Sequence, residues 1–179
     1  MSSEINHLLV VKAKSGDKEA FGDLYARYSR EMYSFALWYL GDRYSAEDAV
    51  SDAVLNAFLS VKNVKKPEKF KSWLFTVLLR SCQKQLRYVI GMRKTVEIGE
   101  MNDESGEMST EERAELNSAL MKISGEDREI LLLSALGNLT STEIGEIKSM
   151  PPGTVRSKIS RATDKLYAIL GEGSLQNGE

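Results

Sequence analysis

Residues 140–170, TSTEIGEIKSMPPGTVRSKISRATDKLYAIL, leave the chain few architectures. Thr140 and Glu143 stand at the spacing of a capping box, in which each side chain satisfies the other residue's free amide, so a helix starts there. Ile144 and Ile147 give that helix an apolar side. The run Ser149-Met150-Pro151-Pro152-Gly153 ends it, because proline lacks an amide donor and disfavours helix in the residue before it. A second helix follows, in which Val155, Ile159, Ala162, Leu166 and Ile169 recur at steps of four and three as one apolar stripe. Lys158, Arg161 and Lys165 share another face, and Thr154, Arg156, Ser157 and Ser160 line the first turns. Two helices joined at a tight corner, the second amphipathic with a basic polar side, form a helix-turn-helix, whose second helix enters the DNA major groove. A helical hairpin that closes a bundle and keeps its Lys and Arg in water fits the same pattern.

The rest of the chain separates charge in a way that bears on this choice. The formal net charge is only −2. Yet residues 62–94 hold ten basic side chains against Glu68 alone, while residues 97–115 hold eight acids against Arg113 alone. A polyanion responds to the potential within a Debye length, roughly 10 Å, and not to the whole-chain sum. Two basic regions separated by an acidic tether are therefore compatible with nucleic acid. Only three prolines in 179 residues, with abundant Leu, Ala, Glu, Lys and Arg, predict an all-α chain of one compact or two small domains. There is no long apolar run for a membrane span and no signal-peptide pattern at the start, and the single Cys82 fits a reducing cytoplasm.

In chain order, residues 8–40 read as a long helix interrupted at Ser15-Gly16-Asp17, with Asp17 as the new N-cap. Phe21, Leu24, Tyr25, Tyr28, Met32, Phe35 and Tyr39 form its core stripe. Ser45 is the expected cap of the next helix, residues 45–61, with Ala49 or Val50, Ala53, Val54, Ala57, Phe58 and Val61 inward. Asp48, Asp52 and Asn56 make a polar ridge at i, i+4 and i+8. Like charges at this spacing repel mildly, which a partner surface or an ordinary solvated face would explain. Residues 62–69 read as a basic loop in which Pro67 prevents helix, and Phe70 opens a helix with Leu74, Val77, Leu78, Cys82 and Leu86 inward and Arg80, Lys84 and Arg87 on a separate face. Lysines beside Phe70, Trp73 and Phe75 suit single-stranded nucleic acid, since cations neutralise phosphates and aromatic faces accept unstacked bases; at least one of these rings is expected merely to pack. Residues 90–110 read as a flexible acidic linker. Ser109 with Glu112 starts a further helix, with Ala114, Leu116, Leu120 and Ile123 inward.

No catalytic constellation is expected. His7 is the sole histidine, no glycine-rich phosphate loop is present, Asp48 and Asp52 have no further ligand beside them, and Cys82 lies on an apolar face. Neither a metal site nor a cofactor is predicted.

Three stretches together resemble the bacterial RNA polymerase sigma factors of the extracytoplasmic-function (ECF, sigma-70) type. SAEDAVSDAVLNAF (residues 45–58) is similar to the family's AED-x-V-Q-E/D helix, and FKSWLF (70–75) to its F-x-x-W-L-Y/F opening. DREILLL (127–133), Thr142-Glu143-Ile144 and PPGTVRS (151–157) resemble its C-terminal domain. The resemblance spans residues 8–170 and holds in order and spacing. It implies a sigma-2-like domain (1–91), the linker (92–110), a sigma-4-like helix-turn-helix domain (111–171) and a disordered tail (172–179).

The same resemblance implies roles. Asp48, Ser51, Asp52, Leu55 and Asn56 would dock on the β′ clamp coiled coil of core RNA polymerase, with the β flap as a second contact. Lys62, Asn63, Lys65, Lys66, Lys69, Phe70, Trp73, Arg80, Lys84 and Arg87 would read and melt the −10 element. Gly153, Thr154, Arg156, Ser157, Lys158, Ser160 and Arg161 would read the −35 element, and the linker would thread toward the RNA path. An anti-sigma factor is an expected partner, the free protein an expected monomer, and the bacterial cytoplasm and nucleoid its expected place. Ser149 stands where many members have Gly, Pro152 adds a second proline to the corner, Ser160 is small where some members carry a larger contacting residue, and Arg80 replaces a smaller polar one. The rival readings are a helix-turn-helix regulator that binds duplex DNA without polymerase and a helical adaptor with no DNA role.

Overall fold

The computed structural model describes residues 2–92 and 108–176. These form α1 (Ser2–Lys14), α2 (Lys18–Leu40), α3 (Arg43–Ser60), two 3-10 turns (Val61–Asn63 and Pro67–Lys69), α4 (Phe70–Met92), α5 (Thr110–Met121), α6 (Gly125–Ala135), α7 (Ser141–Lys148) and α8 (Pro152–Gln176). No strand occurs among the described residues, and the fold is all-α in two small helical domains, α1–α4 and α5–α8. Most of the linker expected over 92–110 lies outside the described residues.

The helix boundaries follow from side chains that take up free backbone amides. Asp17 accepts from the Ala20 amide at 3.0 Å and starts α2. Gly41, at φ +80, ends it in the left-handed conformation, its amide donating to the Leu37 carbonyl at 2.8 Å. Capping boxes open α5 at Ser109/Glu112 and α7 at Thr140/Glu143. The cap expected at Ser45 is instead Asp42. Its carboxylate sits on extended backbone and takes the Ser45 amide at 2.9 Å, which leaves Ser45 buried in the first turn of α3. The basic segment is more regular than an open loop. Pro67 opens a 3-10 turn at a position whose missing amide donor is not needed. The polar tail expected from residue 172 continues α8 as far as Gln176. No proline stops that helix after Pro152, and the glycines at 171 and 173 lower helix propensity without blocking hydrogen bonding.

The α1–α4 core is built from Val10, Leu24, Met32, Phe35, Leu37, Ala53, Phe75, Leu78 and Cys82. Leu37, together with Ala36, lies beside the predicted stripe: α2 is buried on two sides because it packs against α1, α3, α4 and α6. Phe58 is more open than expected, at 38% exposure, its ring meeting Phe21 edge-on at 5.3 Å. In α5 the inward positions are Arg113, Asn117 and Leu120, while Ala114 faces outward. Leu120 and Ile123 are buried as expected and Leu116 packs against the core, so only Ala114 departs from the inward set expected of this helix. Its inner side carries two polar residues that hydropathy alone assigns to the surface.

The two domains share one continuous core, which runs from Val10 through Phe35 and Phe75 to Leu133, Ile144 and Val155. At the seam α4 meets α7, and α2 meets α6. The fit at Gly137 shows how close the packing is. A β-carbon there would come within 2.6 Å of the Leu133 carbonyl oxygen and 3.1 Å of the Phe75 ring.

Candidate nucleic-acid interface

The α3 ridge and the first half of α4 lie side by side. Asp48, Ser51, Leu55 and Asn56 are exposed, with Leu55 at 58% and its neighbour Leu59 at 64%. Asp52 is drawn into the fold: its carboxylate accepts from Ser81 Oγ at 2.8 Å and Asn56 Nδ2 at 3.2 Å, with Lys84 Nζ at 3.4 Å. Asn56, Arg80, Ser81 and Lys84 join Asp52 around a hollow of about 270 Å³. The like-charge problem of the ridge is thus solved internally at Asp52, and Asp48 is the exposed acid that remains.

The basic segment presents Lys62, Asn63, Lys65 and Lys66 to solvent, with Lys69 partly covered. Asn63, Val64, Lys65, Lys66, Lys69 and Trp73 line a hollow of about 460 Å³ whose remaining wall is Glu146 of α7. Trp73 is half-buried and offers ring surface. Phe70, expected to contact bases, is 3% exposed and packs between Tyr28 and Trp73 at centroid distances of 6.0 and 5.7 Å. Phe75 is fully buried against Phe35. Burial of an aromatic ring is worth more in the core than on a wet surface, so only Trp73 of the three is free to meet a base. Arg80, Lys84 and Arg87 are exposed along one side of α4.

The α7–α8 corner is made by Ser149, at φ +55, whose amide donates to the Gly145 carbonyl. This left-handed position favours Gly, so Ser149 carries a backbone cost that glycine would not. Gly145 itself has no room for a side chain, since a β-carbon would lie 2.5 Å from the Met150 carbonyl oxygen. Beyond the corner, Gly153, Thr154, Arg156, Ser157, Ser160 and Arg161 are exposed on α8. Lys158 is not part of that open face. It pairs with Glu126 at 2.6 Å and Asp127 at 3.5 Å and is 22% exposed, while Lys165 reaches Asp127 at 3.8 Å. Burial pushes the Asp127 carboxyl up, but the hydrogen bond from Ser124 and the charges of Lys158 and Lys165 outweigh it and hold the group below its ordinary range. The Lys158/Arg161/Lys165 face predicted from spacing is therefore split: Lys158 ties α8 to α6, while Arg161 and Lys165 stay exposed.

Sequence reasoning missed the polar cluster around Glu129. Its carboxylate accepts from Tyr39 at 3.0 Å and Gln83 at 2.9 Å, both in the α1–α4 domain, and pairs with Lys148 of α7. Arg128 lies over the Tyr39 ring at 5.4 Å. Burial acts to raise the Glu129 pKa, but hydrogen bonds from Lys148, Gln83 and Tyr39 overcome it and the carboxyl stays below the usual carboxylate range. The Tyr39 phenol is pushed well up, first by burial and then by Glu129. A signal was available: Glu129 falls in register with Leu132, Leu133 and Leu136, an acid on an apolar face.

Among the described residues no His, Cys, Asp or Glu cluster is placed to hold a metal ion, and no helix is long and apolar enough to cross a membrane. Burial raises the Cys82 thiol pKa far above its normal value.

Residues 24–88 match the family model for Sigma-70 region 2, and residues 113–166 that for Sigma-70 region 4. The ECF RNA polymerase sigma factor SigW of Bacillus subtilis is 24% identical over 88% of this chain and 92% of its own length. The fold matches CnrH, solved in complex with the cytosolic domain of CnrY, with a TM-score of 0.75 at 23% identity, over 94% of this chain and 98% of that one. It also matches the sigma factor RpoE of Bartonella quintana, solved with the anti-sigma factor NepR, with a TM-score of 0.70 at 22% identity over 84% and 96% of the two chains. The order of the two matched regions, the all-α fold and the likeness to SigW over nearly the whole chain lead to one assignment: this chain belongs to the sigma-70 family and is a transcription initiation factor of its ECF branch.

Proposed function

We propose that the exposed strip of α3, Asp48, Ser51, Leu55 and Asn56, docks on the β′ clamp coiled coil of core RNA polymerase, with Asp52 positioning the strip through Ser81 and Lys84. An acid beside exposed leucines suits a partner that offers both a cation and an apolar groove, and the strip's exposure is the observation that carries this reading. The hollow walled by Lys65, Lys66, Lys69 and Trp73 takes the non-template strand of the −10 element, lysines on phosphates and Trp73 under a base. Flipping a base costs a few kcal/mol, which stacking and pocket contacts offset. Thr154, Arg156, Ser157, Ser160 and Arg161 face the major groove of the −35 element. Lys158 contributes through the position of α8 and not by direct contact. Phe70 supports Trp73 from beneath. An anti-sigma factor is a proposed partner, supported by the presence of NepR on the structurally similar RpoE.

The test is titration of the purified chain against bacterial core RNA polymerase. Asp48→Arg/Leu55→Glu, which leaves the Asp52 cluster intact, is expected to lower affinity at least tenfold. Unchanged affinity would move the docking surface away from α3.

A further inference from the structure

Val64, Lys65 and Lys66 join the two 3-10 turns of the basic segment, with Val64 and Lys66 on extended backbone. Val64 is 2% exposed, whereas Lys65 and Lys66 are open to solvent. The Val64 carbonyl accepts from Lys14 Nζ, a half-buried ammonium in the last turn of α1. This helix packs against both 3-10 turns and lies before the stretch that matches region 2. The base under Lys14 is rigid. Val10 and Ala13 are buried, Ser15 Oγ donates to the Lys12 carbonyl at 2.8 Å, and the Gly16 amide donates to the Ala13 carbonyl at 3.0 Å. Asp17, which caps α2, also donates its amide to the Lys12 carbonyl, at 3.2 Å. Towards the other end of α1, Asn6 Nδ2 donates to the Tyr28 hydroxyl at 3.1 Å and pins the helix to α2.

We propose that Lys14 is a positioning residue for recognition of the −10 strand: from α1 its ammonium fixes the Val64 carbonyl, and with it the direction in which Lys65 and Lys66 leave the backbone. This rests on the reading of residues 62–73 as the single-strand surface. Val64, Lys65, Lys66 and Trp73 wall the same hollow, so a rotation at Val64 changes the separation between the two lysines and the ring. A segment that is ordered only on binding loses entropy at that step. One that is ordered beforehand does not, and it favours the strand that fits over strands that do not. A charged donor suits this task, because its hydrogen bond to a carbonyl is stronger than that of a neutral group. Engaged in this way, Lys14 is not the cation that meets a phosphate; that part falls to Lys65, Lys66 and Lys69. Lys14 therefore acts in promoter choice without touching DNA.

The experiment uses the full chain bound to bacterial core RNA polymerase, with the core enzyme alone as the blank. The probe is a 20-nucleotide single-stranded DNA randomised at its central positions. Sequencing the bound fraction gives the base preference at each position. A fluorescein-labelled copy of the strand that the parent enriches most gives affinity as a function of salt. Lys14→Met keeps the length of the side chain and removes the donor, and Lys12→Met removes the same charge from an exposed site on the same helix. Lys14→Met is expected to bind the enriched strand roughly three- to tenfold more weakly and to flatten the base preference, with the salt dependence of binding unchanged. Deuterium uptake over residues 61–69 of the DNA-free variant should rise, while Lys12→Met should keep the parent's base preference and uptake. Weakening that is uniform across sequences, with a salt slope shallower by about 0.7, would mean that Lys14 meets a phosphate directly, and it overturns the proposal. An unchanged base preference overturns it as well. Lys65→Ala/Lys66→Ala separates the two readings. If it lowers affinity while Lys14→Met matches the parent, only the positioning role fails; if neither changes binding, the −10 surface is wrongly placed and the positioning role falls with it.

Discussion

Glu129 shows how much a single side chain can be asked to hold. Its 7% exposure would disfavour a charge, yet three donors from α2, α4 and α7 converge on it. Such a carboxylate keeps its charge because hydrogen bonds replace the lost water. Removing the charge while keeping the shape, Glu129→Gln, leaves the Lys148 ammonium, 16% exposed, without its counter-ion. We expect a loss of about 1–3 kcal/mol at pH 7 in urea melts. The pH dependence has a definite sign. The folded-state carboxyl titrates below its ordinary value. The stabilisation is therefore complete above the unfolded value near ~4.3 and is lost as pH falls through the folded value. The gap between parent and Glu129→Gln should narrow when the melts are repeated near pH 3.5. A gap of equal size at both pH values would show that the charge of Glu129 does not stabilise the fold.

At the scale of the element, the α7–α8 corner shows what a sequence makes legible. Capping boxes are local: Thr140 and Glu143 need only each other, so the start of α7 can be read from two letters. The stripe of α8 is legible for the same reason, because periodicity reports which side is covered. It does not report what covers it, and so Lys158 reads as part of an open basic face although Glu126 and Asp127 hold it. The cap of α3 is not legible in this way: Asp42 and Ser45, both able to cap, stand three apart, and only the backbone conformation chooses Asp42. Ser149 gives a direct test of the corner. A non-glycine residue in the left-handed region costs about 1–2 kcal/mol, part of which glycine returns as added freedom in the unfolded chain. Ser149→Gly should therefore stabilise the protein by about 0.5–1 kcal/mol, and Ser149→Val, β-branched at φ +55, should destabilise it by more than that. Thermal melts of the two variants should move in opposite directions; movement in the same direction would argue against strain at this corner.

For the whole molecule, the sequence suggested two bundles on a flexible tether, and residues more than seventy positions apart made them one core. Lys69 and Glu146, or Tyr39 and Glu129, carry no mark of pairing in one sequence, since every local pattern around them is already satisfied by its own helix. A shared core should unfold as a unit, because neither half can lose its packing without exposing apolar surface on the other. The chain offers a clean way to see this, since both tryptophans, Trp38 and Trp73, belong to α1–α4 while helix content reports both domains. In the parent chain, urea transitions followed by tryptophan fluorescence and by far-ultraviolet circular dichroism should coincide. A wedge at the seam should separate them. Gly137→Val places its side chain against Phe75 and the Leu133 carbonyl, where even one added carbon has no room. Overpacking of this kind costs about 1–3 kcal/mol and falls on the contact between the domains as well as on α6. The circular dichroism curve of the variant should then split, its early step coming from α5–α8, while the tryptophan midpoint stays close to the parent's. Coincident curves at a lower midpoint would mean that the two domains remain one cooperative unit even with the seam disturbed. Non-coincident curves already in the parent would mean that the continuous core does not couple the unfolding of the two domains.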